Sequence, residues 1–144
     1  LGDFQLRSGD LAAAGSRFER ALALAPDSFD AAYGLGRVRW QNGELPDAVN
    51  ALRRALALNP DHRDAHYALG LVYVRLERFD DARSSFARCT VLDPDHAESH
   101  YGLGLIYMQQ GQKDQARQKL EKVLSLQPDH QRARAKLAAL DQQL

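Results

Sequence analysis

The sequence has one cysteine, one methionine and no excess of charge of either sign. Because Cys89 is alone, no disulfide can form within the chain, and cysteine usage does not indicate whether the protein occupies an oxidising or a reducing compartment. Lys+Arg and Asp+Glu number 19 each. A nucleic-acid or anionic-membrane binder normally has a basic excess, so we expect neither function.

Long apolar runs are also lacking. A membrane-spanning helix needs about 20 consecutive apolar residues, and no run approaches that length, so we expect no membrane insertion. No secretory signal is visible, and cytoplasmic and periplasmic locations are both compatible with the sequence. Because the sequence starts at Leu1 without a methionine, we expect it to be a segment of a longer protein.

What the sequence does contain is a pattern that returns every 34 residues. It is carried by a Leu-Gly pair at residues 1–2, 35–36, 69–70 and 103–104, by a Pro-Asp pair at residues 26–27, 60–61, 94–95 and 128–129, and by an alanine at residues 14, 48, 82 and 116. A fixed period of this length predicts stacked repeats rather than one globular core.

Each period reads as two helices, because apolar residues recur at steps of three and four. We predict one segment over residues 1–144, made of a partial repeat 1–28, full repeats 29–62, 63–96 and 97–130, and a C-terminal capping helix 131–144. In the partial repeat, residues 1–8 are predicted to end a helix whose Leu1 and Phe4 face a neighbour. Ser8, Gly9 and Asp10 are predicted to break that helix, and a second helix is predicted from about Leu11.

Helix ends follow from local chemistry. Proline cannot continue a helix, and we expect the aspartate after each repeat proline to cap the next helix through its carboxylate. Glu77 occupies the turn position that Gly43 and Gly111 occupy in the other repeats. That turn must therefore avoid a positive φ or accept some strain. In the last helix we expect Ala133, Leu137, Ala138 and Leu140 to face inward.

Each full unit resembles the tetratricopeptide repeat. The matching residues are Leu35, Gly36, Ala48 and Pro60 in the first unit, Leu69, Gly70, Tyr73, Ala82, Phe86 and Pro94 in the second, and Leu103, Gly104, Tyr107, Ala116 and Pro128 in the third. Arg39 replaces a tyrosine of the pattern, and Cys89 and Val123 replace alanines. The resemblance implies an all-α, right-handed α-solenoid of stacked antiparallel helix pairs, whose first helices line a concave groove that holds other proteins.

If that geometry holds, positions two, five, six, nine, twelve and thirteen of each first helix face the groove. The candidate peptide-binding residues are then Tyr33, Arg37, Trp40, Tyr67, Leu71, Val74, Arg75, Tyr101, Leu105 and Met108. Tyr, Trp and Arg are frequent anchors of binding surfaces. The alternative for the tyrosines is packing between neighbouring helices. Asp30, Asp64 and Glu98 edge the groove, where helix stabilisation is favoured over ligand contact.

Sites for metal or catalysis are not expected. His62 with His66, and His96 with His100, have a four-residue spacing that suits zinc, but the spacing comes with the repeat and no further ligands complete a set. No glycine-rich phosphate loop and no nucleophile elbow is present. We therefore predict a protein that is not an enzyme and has no cofactor. The carboxylate clamp of some family members is matched only at Arg132 and Lys136, so binding of chaperone tails is not predicted.

The favoured function is a non-enzymatic scaffold whose groove binds a peptide or a helix of a partner protein. The alternative is a docking or regulatory segment of a larger enzyme or secretion or assembly machine, without a ligand of its own. A third hypothesis is self-association through the truncated N-terminal repeat.

Overall fold

The computed structural model describes residues 8–142, which are α-helical with short turns and contain no β-strand. The helices are α1 (Ser8–Leu24), α2 (Phe29–Gln41), α3 (Leu45–Leu58), α4 (Arg63–Arg75), α5 (Phe79–Leu92), α6 (Ala97–Gln109), α7 (Lys113–Leu126) and α8 (Gln131–Asp141). The first helices α2, α4, α6 and α8 begin 34 residues apart, as the sequence period predicts. The expectations for Leu1 and Phe4 lie outside the described residues.

The predicted break at Ser8, Gly9 and Asp10 is wrong, because all three residues belong to α1. Gly43 and Gly111, at the equivalent position of later repeats, adopt a positive φ. Gly9 instead stays helical, which glycine tolerates at a cost of about 1 kcal/mol relative to alanine. No described residue would lie within 4 Å of a Cβ at that position, so packing does not force a turn there.

The turn inside each helix pair is a Schellman motif. In the first, the Gly43 N–H donates to the Trp40 carbonyl and the Glu44 N–H donates to the Arg39 carbonyl, with φ of Gly43 at +78°. The same two bonds recur around Glu77 and Gly111. This motif requires a left-handed residue at its centre. Glu77 therefore accepts the strain, with φ of 58°.

The N-cap residues predicted for the first helices are wrong. The caps are Ser28, His62, His96 and His130, each of which accepts a backbone N–H from the residue three positions later. The aspartates expected in this role lie one position too early. A neutral imidazole can accept at Nδ1 while its proton sits on Nε2, so histidine does here what serine does in α2.

The described residues form two compact units, one ending at Arg78 and one starting at Phe79. In unit 1, α2 packs against α1 and α3, and α3 packs against α4. Its core contains Leu22, Ala31, Ala32 and Ala55, with the Phe18 ring packed beside them. Short turns make successive helices antiparallel, and Gly36 lets α2 approach Leu52 of α3.

Arg39 connects three parts of unit 1. Its guanidinium donates to Glu19 of α1 and to Glu44, which precedes α3. The side chains of Asn42 and Arg39 donate hydrogen bonds to the Glu44 carboxylate and lower its pKa. Arg39 thus replaces the ring that Tyr73 and Tyr107 supply in later repeats with an ion pair to the preceding helix.

Unit 2 has the same order of packing, with α6 against α5 and α7, and α7 against α8. Its core cluster consists of Tyr101, Ala116, Leu120, Val123, Ala133 and Leu140, with Leu137 packed against it. Of the residues expected to face inward from α8, only Ala138 is exposed. That the two units form one continuous segment stays a prediction. Within residues 8–142, no helix has the length and hydropathy needed to cross a membrane.

Candidate protein-binding surface

Three of the predicted site residues follow one another along α2. Tyr33, Arg37 and Trp40 are separated by four and three residues, which places them on one side of the helix. All three are half-buried, and the Arg37 guanidinium carbon lies 5.7 Å from the centroid of the Tyr33 ring. The side of α2 predicted from the repeat positions therefore offers two aromatic rings with a cation between them.

Tyr33 is held in place by aromatic neighbours from two helices. Its ring stacks on Phe29 with centroids 5.6 Å apart, and it lies 5.1 Å from the ring of His62. Burial raises the pKa of the Tyr33 phenol, Arg37 and Arg63 oppose the rise, and Asp64 adds to it. Tyr33 therefore stays a neutral phenol at physiological pH, and part of its ring packs between α2 and α4.

Trp40 is the single tryptophan of the sequence and ends the run of large side chains on α2. Its ring is half-buried, and its indole Nε1 is enclosed without a hydrogen-bond acceptor among the described residues. An enclosed donor without a partner costs about 1–3 kcal/mol. Trp40 thus combines a partly exposed ring with an unsatisfied polar atom.

The corresponding side of α4 is more apolar and more open. Tyr67 and Leu71 are half-buried, Val74 is 36% exposed, and Arg75 is exposed. Arg75 ends α4, where a cation also stabilises the negative end of the helix dipole. We call these four residues together with Tyr33, Arg37 and Trp40 the α2–α4 face.

In unit 2, Tyr101 differs from its counterparts. It is only 7% exposed, because the ring of His130 lies 4.9 Å away and the guanidinium of Arg132 lies 5.0 Å from its centroid. Glu98 is within 3.4 Å of His130 Nε2 and 3.5 Å of an Arg132 nitrogen. The alternative weighed for the tyrosines, packing between helices, therefore describes Tyr101. Leu105 and Met108 are half-buried and pack against the core cluster.

At position six of the first helix, Gly34 and Gly102 each lie close to an aromatic ring. A Cβ at Gly34 would lie 2.4 Å from the Phe18 ring, and one at Gly102 would lie 2.8 Å from Phe86. Both aromatic rings come from the preceding second helix. The small size of Gly34 and Gly102 is explained by these rings, which leave no room for a Cβ, and whether position six lines the groove stays a prediction.

The contact between the capping histidines and the tyrosines of the first helices was not predicted from the sequence. His62 and His130 each cap a first helix through Nδ1 and place the ring against a tyrosine of the preceding first helix. The signal was available, because His62, His96 and His130 directly follow the Pro-Asp pair in steps of 34. It was assigned to a turn instead of to a cap.

The histidine pairs considered for zinc have other contacts. His66 Nε2 lies 2.7 Å from the Pro60 carbonyl oxygen, and His100 Nε2 lies 2.7 Å from that of Pro94. Burial lowers the pKa of His100. Cys89 is fully buried, with its Sγ 3.6 Å from His96 Nδ1. Residues 8–142 contain no group of three or more His, Cys, Asp or Glu side chains placed to hold a metal ion.

Comparison with known families agrees with this architecture. The model for the tetratricopeptide repeat matches residues 1–61, 33–88, 67–131 and 101–140, in overlapping copies that cover nearly the whole chain. The chain belongs to the tetratricopeptide repeat family. The family resemblance and the expected fold class, an all-α solenoid of stacked helix pairs, are thereby confirmed.

Solved structures of tetratricopeptide repeat proteins are similar along most of the chain. A crystal structure of MamA has 26% sequence identity and a TM-score of 0.89, covering 97% of this chain and 82% of that one. A tetratricopeptide repeat protein from Parabacteroides merdae has 24% identity and a TM-score of 0.86, covering 92% of this chain and 53% of that one.

A third neighbour was solved with a peptide. The first TPR of Spaghetti (RPAP3), bound to the HSP90 peptide SRMEEVD, has 18% identity and a TM-score of 0.75, covering 79% of this chain and 90% of that one. At this identity the likeness shows the fold alone. Among curated proteins, none matches this chain in sequence. Membership of the tetratricopeptide repeat family supports protein binding as the general class of function.

Proposed function

We propose that this tetratricopeptide repeat chain is a non-enzymatic scaffold that binds a peptide or a helix of a partner protein on its first helices. The observation that carries the proposal is the run of Tyr33, Arg37 and Trp40 on α2, half-exposed and held by its own packing. Tyr, Trp and Arg are enriched among the few residues that dominate the binding energy of protein interfaces. A pre-ordered aromatic side chain also loses little conformational entropy when it binds.

The candidate residues have unequal roles in this proposal. The α2–α4 face supplies the direct contacts, because its members keep part of their surface open. In unit 2, Leu105 and Met108 of α6 are separate candidates for partner contact, because Met adapts its shape to different partners. Tyr101 lies under His130 and Arg132, so its role is to hold those side chains in place rather than to touch a partner.

The test is selection of random 12-residue peptides displayed on phage against the purified chain. Pools enriched by wild type are then measured against the variants Trp40→Ala, Val74→Asp and Met108→Ala. Binding is followed by calorimetry and, in wild type, by the fluorescence of Trp40. We expect Trp40→Ala and Val74→Asp to weaken binding at least tenfold, which is about 1.4 kcal/mol. Met108→Ala should have a smaller effect.

Leu58→Ala is the matched control. Leu58 is also a large exposed apolar residue, 39% exposed, but it lies on the second helix α3. Its loss should leave binding unchanged. If no peptide is enriched, or if the enriched peptides bind Trp40→Ala as well as wild type, the proposed function is wrong. The chain would then fit a docking segment without its own ligand, or self-association, which light scattering at high concentration detects.

A further inference from the structure

Acidic and basic residues are ordered along the two helices that carry the α2–α4 face. Asp30 and Asp64 lie in the first turns of α2 and α4, whereas Arg37 and Arg75 lie further along. At about 1.5 Å per residue, the separation of acid and base is about 10 Å on α2 and about 16 Å on α4. On each helix an acidic residue near the N-terminus, which in α4 is paired with Arg63, is followed by an arginine toward the C-terminus.

The open apolar groups lie at the positive part of this face. Trp40 follows Arg37 by less than one helical turn, and Val74 directly precedes Arg75, with Leu71 one turn before it. Val74 and Arg75 are both exposed, and Leu71 and Trp40 are half-buried. The part of the face that has apolar surface left to bury is therefore also the part that carries the two cations.

The acidic and the basic residues differ in the contacts that their side chains already make within the chain. Asp64 accepts from the Arg63 side chain, and both Asp30 and Asp64 stabilise the positive N-terminus of their own helix. Arg75 stabilises a helix C-terminus from an exposed position, so its guanidinium can still donate two hydrogen bonds to a carboxylate. A partner carboxylate is therefore favoured over a partner ammonium group as the charged element to be recognised.

Trp40 adds a second requirement for an acceptor. Its enclosed indole N–H has no acceptor among the described residues. If the ring turns toward a bound segment, a carbonyl or carboxylate oxygen of that segment satisfies the donor. A partner rich in acceptor oxygens next to apolar surface therefore gains at this position, whereas an ammonium group cannot accept the hydrogen bond.

We propose that the α2–α4 face recognises a segment of a partner protein in which a bulky apolar side chain lies within two residues of an Asp or Glu side chain. The apolar side chain packs on Trp40, Leu71 and Val74, and the carboxylate pairs with Arg75 and Arg37. The bound segment thus has its acidic side chains toward the C-terminal ends of α2 and α4. No free C-terminus is needed, because the carboxylate belongs to a side chain. This inference rests on the proposed function.

The composition of the phage-selected pool tests the inference. We expect enrichment of Asp or Glu within two residues of Leu, Ile, Phe or Trp, at positions free of any fixed C-terminus. Repeating the selection with Arg75→Glu and with Arg37→Gln should remove this preference, and Arg75→Glu should favour Lys or Arg instead. A synthetic peptide from the wild-type pool should bind Arg75→Glu about five- to tenfold more weakly, and replacing its acid by Lys should restore binding to that variant.

Arg53→Glu provides the matched control, because Arg53 is an exposed arginine of α3 outside the α2–α4 face. It makes the same change in net charge and should leave the acidic preference intact. Unfolding curves verify that each variant is folded, and Arg75→Gln, which removes the charge without reversing it, should give an intermediate loss.

The results separate the two proposals. Enriched peptides that need Trp40 but show no acidic preference, or whose binding is equal for Arg75→Glu and Arg53→Glu, overturn this inference and leave the scaffold proposal standing. A pool rich in Lys and Arg also overturns it, since Asp30 and Asp64 would then be the recognised charges. Absence of any Trp40-dependent peptide overturns both.

Discussion

Tyr101 lies 4.9 Å from the ring of His130, and the same histidine caps α8 by accepting the Ala133 N–H at 3.0 Å. His62 repeats both contacts, with Tyr33 at 5.1 Å and the Ala65 N–H at 3.1 Å. One imidazole therefore starts a helix and fixes the tyrosine of the preceding first helix. Ser28 performs only the first of these tasks.

The first prediction separates the two tasks of His130. His130→Asn keeps a cap but loses the ring, and should lower the free energy of unfolding by about 0.5–1.5 kcal/mol. His130→Phe keeps a ring but loses the cap, and should lower it by about 0.5–2 kcal/mol. His130→Ala should cost more than either. Urea unfolding measures all three, with the exposed Lys136→Ala as control. Equal stability of His130→Ala and wild type would show that neither contact matters.

Helix boundaries and periodicity were the part of the fold that the sequence could predict, because they depend on apolar spacing and proline. The caps were assigned to the wrong residue, because aspartate and histidine are neighbours after each repeat proline and aspartate is the more usual cap. The histidines recur with the same period of 34, but the period alone does not say which of the two neighbours accepts the N–H. The extra helical residues of α1 were missed for a similar reason, since glycine fits both a helix and a left-handed turn.

The second prediction concerns the strained turn at Glu77. Its φ of 58° is unfavourable for a side chain with a Cβ, so Glu77→Gly should raise the free energy of unfolding by about 1 kcal/mol. Gly111→Ala, at φ of 75°, should lower it by a similar amount. Glu77→Ala is the control, because it keeps the Cβ and should change little. Thermal unfolding of the three variants checks the set, and a less stable Glu77→Gly would show that the Glu77 side chain outweighs the strain.

The third prediction tests the close approach at Gly36. A Cβ there would lie 2.7 Å from Leu52 side-chain atoms and 3.3 Å from the Leu52 backbone nitrogen. Gly36→Ala should therefore destabilise unit 1 by about 1–3 kcal/mol through overpacking. Alanine's better helix propensity, about 1 kcal/mol, should not compensate.

Gly9→Ala is the matched control for Gly36→Ala. It is also a helical glycine, but a Cβ there meets no described atom within 4 Å. The free energy of unfolding of Gly9→Ala, measured with urea, should be higher than that of wild type by about 0.5–1 kcal/mol. If Gly36→Ala is stabilised as much as Gly9→Ala, then Leu52 can move aside and the glycine is not required for the α2–α3 contact.

The fourth prediction is a pH dependence caused by His100. Burial lowers its pKa in the folded chain, and its Nδ1 is enclosed without a partner among the described residues. As pH falls below about 6.5, the unfolded chain binds a proton that the folded chain resists, so the free energy of unfolding decreases. The loss continues until the pH reaches the lowered pKa of the folded state. Above about pH 7 the effect vanishes.

His100→Gln isolates this effect from the capping histidines, which are present in both proteins. Glutamine keeps a donor for the Pro94 carbonyl oxygen but does not titrate. Urea unfolding from pH 5 to pH 8 should show a shallower dependence on pH for the variant. Parallel curves for variant and wild type would mean that His100 titrates alike in the folded and unfolded chains.

The candidate site was predicted from repeat positions, and the structure sorts its members by exposure. Val74 and Arg75 are exposed, whereas Tyr101 is covered by two side chains from the start of α8. Tyr33, Tyr67 and Tyr101 occupy equivalent positions in the sequence repeat. Their relative exposure could not be predicted, because it depends on which side chains of the next repeat pack against each tyrosine. In unit 2 these side chains are His130 and Arg132.

The reactivity of the Cys89 thiol can report local opening of the folded chain. Its side chain has no exposed surface, and its Sγ lies against His96 at the start of α6. A thiol reagent can reach the sulfur only when the packing around Cys89 opens, so the alkylation rate in excess reagent reports how often that opening occurs. Since the sequence has no second cysteine, every modified molecule records an opening at this one place.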